Sequence, residues 1–97
     1  MIRREGERLV VSGPVNLGNV AELLAQGAQG LRSGASALDF AEVTELDSAL
    51  VAAALAWLRE ARREHRALRF LNLPPGLVTI ARLYGVAELL PGGANPH

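Results

Sequence analysis

Apolar and polar positions along the chain switch between a two-residue and a three-to-four-residue period, and each switch marks a change of element. In "ERLVVSG", residues 7–13, a valine-rich run closes on Gly13-Pro14, which predicts a strand ending in a turn. Glu5-Gly6 ahead of it can turn a hairpin whose first arm is residues 2–4. Leu17, Val20, Leu24, Ala28 and Leu31 then recur every three or four positions, as on an amphipathic helix, and Asn19 with Glu22 three residues on has the form of a capping box. Gly27 and Gly30 inside that helix each cost up to about 1 kcal/mol relative to alanine, so packing on a sheet must hold it. "ALDFAEV", residues 37–43, is a second strand, with Leu38 and Phe40 on one face and Asp39 on the other. The longest helix is predicted over residues 48–64. On a helical wheel Leu50, Ala54, Trp57, Leu58 and Ala61 share one arc, opposite Ala52, Arg59 and Arg63. "ALRFLNL", residues 67–73, is a third strand stopped by Pro74-Pro75. Leu77, Ile80, Ala81 and Tyr84 line one side of a last short helix that Gly85 can end. Residues 86–91 add a further turn, and 92–97 read as a frayed tail. Strands alternating with helices at these spacings predict a single α/β domain over residues 1–97, with right-handed crossovers between parallel strands.

Composition narrows what such a domain does. A chain of this length buries roughly 65% of the surface it exposes when unfolded, enough for one modest core. With 49% apolar residues, 21% charged residues and no net charge, neither disorder nor a general affinity for nucleic acid is favoured. The absence of cysteine removes disulfides, thiolate catalysis and cysteine-based metal sites, and fits a cytoplasmic location. The charged start "MIRREGERLVVSG" lacks the apolar run of a signal peptide, and no stretch reaches the roughly 18–20 apolar residues that span a bilayer, so no direct membrane insertion is expected. His65 and His97 have no evident partner for general-base or metal work, and the glycines match no phosphate-binding loop. The expectation is no enzyme, no metal and no cofactor. The arginines of residues 59–69 alternate with Glu60 and Glu64 and lack an aromatic stacking partner, which reads as a solvated helix face rather than a nucleic-acid site.

One stretch is not absorbed by these readings. Residues 44–48, "TELDS", place acidic and hydroxyl side chains directly ahead of a dozen nearly all apolar residues. Asp47 suits an N-cap, accepting a backbone N–H of the first turn at the positive end of the helix. Capping does not account for Ser48. Its wheel direction matches Ala52, Leu55 and Arg59, away from the core stripe, so its hydroxyl is expected to meet solvent. Val51, Ala52 and Leu55 around it are small or apolar on what is read as exposed surface, which suggests a docking face, with Thr44 at its edge. A phosphate on Ser48 would be favoured by the helix terminus yet would set roughly two negative charges beside Asp47, inside any apolar interface, so this position can serve as a switch.

"ALDFAEVTELDSALVAAALAWLREA" followed by "LRFLNLPPGLVTIARLYGVAELLP" resembles the STAS domain family, and within it the MlaB-like subunits of Mla phospholipid ABC transporters. The resemblance implies a mixed sheet of four or five strands with helices mainly on one side. It also implies a non-catalytic regulatory subunit that binds the transporter's cytoplasmic ATPase, supports its assembly and activity, and is held near the inner membrane only through that partner. In the family's anti-sigma-factor antagonists a partner kinase phosphorylates the hydroxyl residue after the junction aspartate, the position of Ser48, and this is the alternative reading. Asp47 and Ser48 carry over by motif, whereas Thr44, Val51 and Leu55 come from the wheel and the loop. The family's usual glycine two positions after the hydroxyl residue is Leu50 here, whose wheel direction is inward.

Overall fold

The computed structural model describes residues 1–83 and 85. Tyr84, the added turn over residues 86–91 and the tail over residues 92–97 lie outside them. In chain order the elements are β1 (Ile2–Glu5), β2 (Arg8–Val15), α1 (Val20–Arg32), β3 (Ala37–Leu46), α2 (Ser48–Arg63), β4 (Arg69–Leu71) and α3 (Pro75–Leu83). The four strands lie side by side in the order β1-β2-β3-β4. β1 is antiparallel to β2, and β2, β3 and β4 are mutually parallel. This is the small mixed α/β fold that the alternating pattern predicts.

The hairpin closes on Glu5 opposite Arg8, with Gly6 at φ +64° supplying the left-handed position of its two-residue loop. β2 does not stop at Gly13-Pro14. The register skips one residue of β3 between Gly13, opposite Val43, and Pro14, opposite Glu45, and continues to Val15 opposite Leu46, with Gly13 at φ +84° beside the irregularity. Pro14 is tolerated because β1 pairs only as far as Val11, so β2 is an edge strand at that point. Continued pairing brings Val15 into the core and leads β3 on to Leu46.

One face of the sheet, with Leu9, Val11, Val15, Leu38, Phe40 and Phe70, joins the buried sides of all three helices in one core. Phe40 and Phe70 meet edge to face with ring centroids 5.6 Å apart. On α1 the buried line is Leu23, Gly27 and Leu31, with Val20, Leu24 and Ala28 beside it, so the stripe is rotated from the one expected and Leu17 is not part of it. The glycines explain the rotation, since they are the points of closest approach. A Cβ on Gly27 would lie 2.6 Å from Cε2 of Trp57, and one on Gly30 would lie 2.6 Å from a methyl of Leu9. The Asn19–Glu22 capping box does not form. Asn19 stands at the N-cap position, but its amide donates to the Pro14 carbonyl at 2.7 Å and accepts from the Asn16 N–H at 3.0 Å, so it pins the β2–α1 loop instead.

The other sheet face carries Asp39, which is 5% exposed and accepts from the Ala41 N–H and the Asn72 amide, each at 2.9 Å. Asn72, at φ +55°, is thereby tied into the turn that leads from β4 to α3. On the same face Arg3 bridges Glu42 through two hydrogen bonds at 2.8 and 2.7 Å. Hydrogen bonding to Arg3 holds the Glu42 carboxyl, and with Arg8 that of Glu5, below the usual carboxylate range. Because those folded-state values are depressed, whatever stability they add is present above the ordinary carboxylate range and fades as pH falls through it. The groups are solvent-exposed and screened, so the effect is small.

His65 has a structural use. It sits just past α2 at φ +56°, and the Arg66 N–H bonds back to the Ala61 carbonyl at 2.9 Å, so His65 occupies the left-handed position of a helix stop. Glycine adopts that conformation without the Cβ penalty of about 1 kcal/mol. His65→Gly is therefore expected to raise the stability of the domain by about 1 kcal/mol in chemical denaturation.

Candidate functional site

β3 ends at Leu46, one residue turns the chain, and α2 starts at Ser48. Asp47 makes that turn in extended conformation (φ −136°, ψ −167°), and its Oδ1 accepts the Ala49 N–H at 2.8 Å. The aspartate is thus the N-cap that its sequence position predicts. Replacing it with alanine should cost about 1 kcal/mol of stability, whereas Asp47→Asn, which keeps the acceptor, should cost only a few tenths, both read by thermal melting.

Ser48 is exposed and its hydroxyl bonds to no other side chain or backbone group among the described residues. Thr44, near the end of β3, is exposed as well. Of the apolar residues assigned to the docking face, Ala52 is exposed and Leu55 is half-buried, its inner side packed on the core. Val51 is a correction, because it is 3% exposed and belongs to the core. The wheel predicts a single core arc from Leu50 to Ala61, whereas α2 is also flanked by α1 and α3, so its buried arc runs from Ala49 round to Val51 and covers about 200°. What remains open in the first two turns is a narrow strip of Ser48, Ala52, the outer side of Leu55 and the half-buried Ala56. From the third turn onward the strip becomes Arg59, Arg62 and Arg63. Leu50 is fully buried, so the residue that replaces the family's usual glycine fills core space and leaves the strip open.

The spacing predicts Leu17 on the helix stripe, whereas it lies in the β2–α1 loop and is 80% exposed. Val15 and Leu46 are paired neighbours, and two residues beyond each stand Leu17 and Ser48, so both emerge at the same end of the sheet. The signal was present in the sequence: a residue two positions before the N-cap Asn19 cannot belong to the helix stripe.

The geometry sets a capped helix end, an unbonded hydroxyl and slim apolar neighbours side by side at the surface. Two solved structures share its architecture. One is the anti-sigma factor antagonist SpoIIAA in its unphosphorylated form, 17% identical over 93% of this chain and 84% of that one, with a TM-score of 0.68. The other is the Bacillus cell fate determinant SpoIIAA in its phosphorylated form, 19% identical over 93% of this chain and 86% of that one, with a TM-score of 0.65. At these identities the likeness establishes the fold. No individual curated protein matches the sequence. The family described as "Mlab, STAS domain" matches residues 1–91, nearly the whole chain. The chain therefore belongs to the STAS domain family, in its MlaB-type branch.

Proposed function

We propose that the chain is a non-catalytic regulatory subunit that docks the N-terminal end of α2 onto the cytoplasmic ATPase of an Mla-type phospholipid ABC transporter and supports its assembly and activity. The observation that carries this reading is the open strip of Ser48, Ala52 and Leu55 beside an aspartate already committed to capping, in a chain of the MlaB type. Alanine at the centre of the strip lets another backbone approach closely, and the outer side of Leu55 supplies apolar area to bury. Thr44 and Asp47 form the rim of the contact, and Val51 contributes from behind by supporting the first turns. On this reading the chain works in the cytoplasm, peripheral to the inner membrane through its partner, and no helix among the described residues is long and apolar enough to cross a membrane.

A second reading is favoured by one observation. Ser48 presents an unbonded hydroxyl at a helix N-terminus, in a fold shared with an antagonist solved in both unphosphorylated and phosphorylated forms. Here Ser48 would accept phosphate from an anti-sigma kinase that binds the same surface. Mixing the purified chain with the ATPase, or with the kinase and ATP, followed by size-exclusion chromatography and intact-mass measurement, separates the two. A stable complex of unmodified chain with the ATPase supports the transporter reading, and stoichiometric phosphate on Ser48 with no ATPase complex overturns it. Ser48→Ala sharpens the distinction, since it removes a phospho-switch entirely but only trims a packing contact.

A further inference from the structure

Cationic side chains are segregated along this domain. Every one is an arginine, and none falls within residues 9–31 or 33–58. Arg3, Arg4 and Arg8 lie in β1 and at the start of β2, Arg32 in the last turn of α1, and Arg59, Arg62 and Arg63 in the second half of α2. Arg66 and Arg69 follow, and Arg82 lies in the last turn of α3. All but Arg3, which stands opposite Val10 in mid-sheet and reaches Glu42, therefore sit toward the opposite end of the sheet from the point where α2 begins. At the α2 end stand Glu22, in the first turn of α1, and Glu45, near the end of β3. Both are exposed and neither pairs with a cation among the described residues, whereas Glu42 is neutralised by Arg3. Trp57 rests on Gly27, so in these two parallel helices Glu22, five residues back from Gly27, lies level with Ala52. Leu17, 80% exposed, projects from the adjoining loop at that same end.

We propose that the docking surface extends from α2 across the β2–α1 loop, with Leu17 as a second apolar anchor, and that the protein it receives presents an apolar ridge flanked by arginine or lysine side chains. This rests on the reading of α2 given above and specifies the chemistry of its partner. An exposed leucine beside an alanine-lined strip supplies the apolar centre, while a carboxylate rim without cations would repel an acidic surface and steer a basic one. The opposite end carries Glu5, Glu7, Glu60 and Glu64 among its arginines, with Arg3 and Arg8 paired to Glu5 and Arg32 and Arg63 to Glu60, but arginines outnumber these acids there, so it is the less attractive end for that partner.

The test measures the affinity of the purified transporter ATPase subunit for the full chain between about 50 and about 300 mM salt, where screening tightens markedly. The variants are Leu17→Asp, the double variant Glu22→Arg/Glu45→Arg, and Ser48→Arg as reference, each shown by thermal melting to be fully folded at the temperature of the binding measurement. Wild type should weaken as salt rises, Leu17→Asp should bind at least about 10-fold more weakly at every salt concentration, and the double variant should lose most of the salt dependence. Wild-type affinity for Leu17→Asp, or salt-independent binding by the unaltered chain, overturns the extension while leaving the α2 surface standing if Ser48→Arg still abolishes binding. Failure of the ATPase to bind at any salt, or undiminished binding by Ser48→Arg, refutes the α2 reading itself. Self-association of the chain through its acidic and arginine-bearing ends, seen by sedimentation, overturns the assignment of those cations to a partner.

Discussion

Ser48→Arg is expected to lower affinity for the ATPase by about 30-fold or more, the scale of losing a central contact of about 2 kcal/mol, while leaving the fold intact. Ser48 is the first residue of α2 and is exposed, so a long cation there meets no core atom. Its cost to the domain is the unfavourable meeting of a positive charge with a helix N-terminus, about 0.3–1 kcal/mol, partly offset by the neighbouring Asp47. Its effect on a partner is larger, because the guanidinium projects into the space that a closely approaching backbone would fill. Ala52→Arg one turn on should act in the same way, since alanine and arginine are both strong helix formers and the site is exposed. Leu55→Glu separates binding from stability less cleanly than its wheel position suggests, for the inner side of Leu55 packs on the core and an acid there should also cost stability. Isothermal titration beside thermal melting of each variant reads both quantities. Equal losses of affinity and stability for Ser48→Arg and Ala52→Arg would mean that the strip is structural.

The largest effect on stability is expected at the contact between α1 and α2. Trp57→Ala should destabilise the domain by about 3–5 kcal/mol, the usual cost of emptying a buried aromatic site. Trp57 is 1% exposed, packs directly on the backbone of α1 at Gly27, and donates its indole N–H to the Leu24 carbonyl at 3.3 Å. At about 4–8 °C per kcal/mol for a domain of this size, the melting temperature should fall by about 12–40 °C. Gly27→Ala tests the same contact from the other side. Its methyl would lie 2.6 Å from the indole Cε2, and the indole is fixed by its hydrogen bond, so overpacking of about 1–3 kcal/mol should outweigh the gain of about 1 kcal/mol in helix propensity. Gly30→Ala meets the branched end of the buried Leu9 at 2.6–3.2 Å rather than a rigid indole, so Leu9 must shift within the core and the net loss should be smaller than at Gly27. If Gly27→Ala were the more stable of the two, the close approach of α1 to Trp57 would be refuted.

These contrasts explain which features were legible in the sequence. The period of α2 and the Asp47 cap were readable because both are local: a helix wheel and an N-cap depend only on residues within a turn or two. The hairpin at Gly6 was readable for the same reason. The burial of Val51 was not, because it depends on α3 arriving on the far flank of α2 from some thirty residues downstream. The continuation of β2 past Pro14 was hidden because it depends on where β1 stops pairing. Asn19 was misassigned because its side chain found partners in the preceding loop rather than in the helix it precedes. Of the candidate site, Ser48 and Thr44 stood where the sequence put them, Leu55 did so only in part, and Leu17 came to that end of the molecule through strand pairing alone.

Amide hydrogen exchange of the chain, alone and bound to the ATPase, tests most directly whether α2 meets its partner at its N-terminal end. The account predicts added protection confined to the β2–α1 loop, the residues around Thr44 and the first two turns of α2, with the arginine-bearing second half of that helix unchanged. Protection centred on residues 59–69 or on the sheet face around Asp39, with the Asp47–Ser48 junction exchanging as in the free chain, would contradict it.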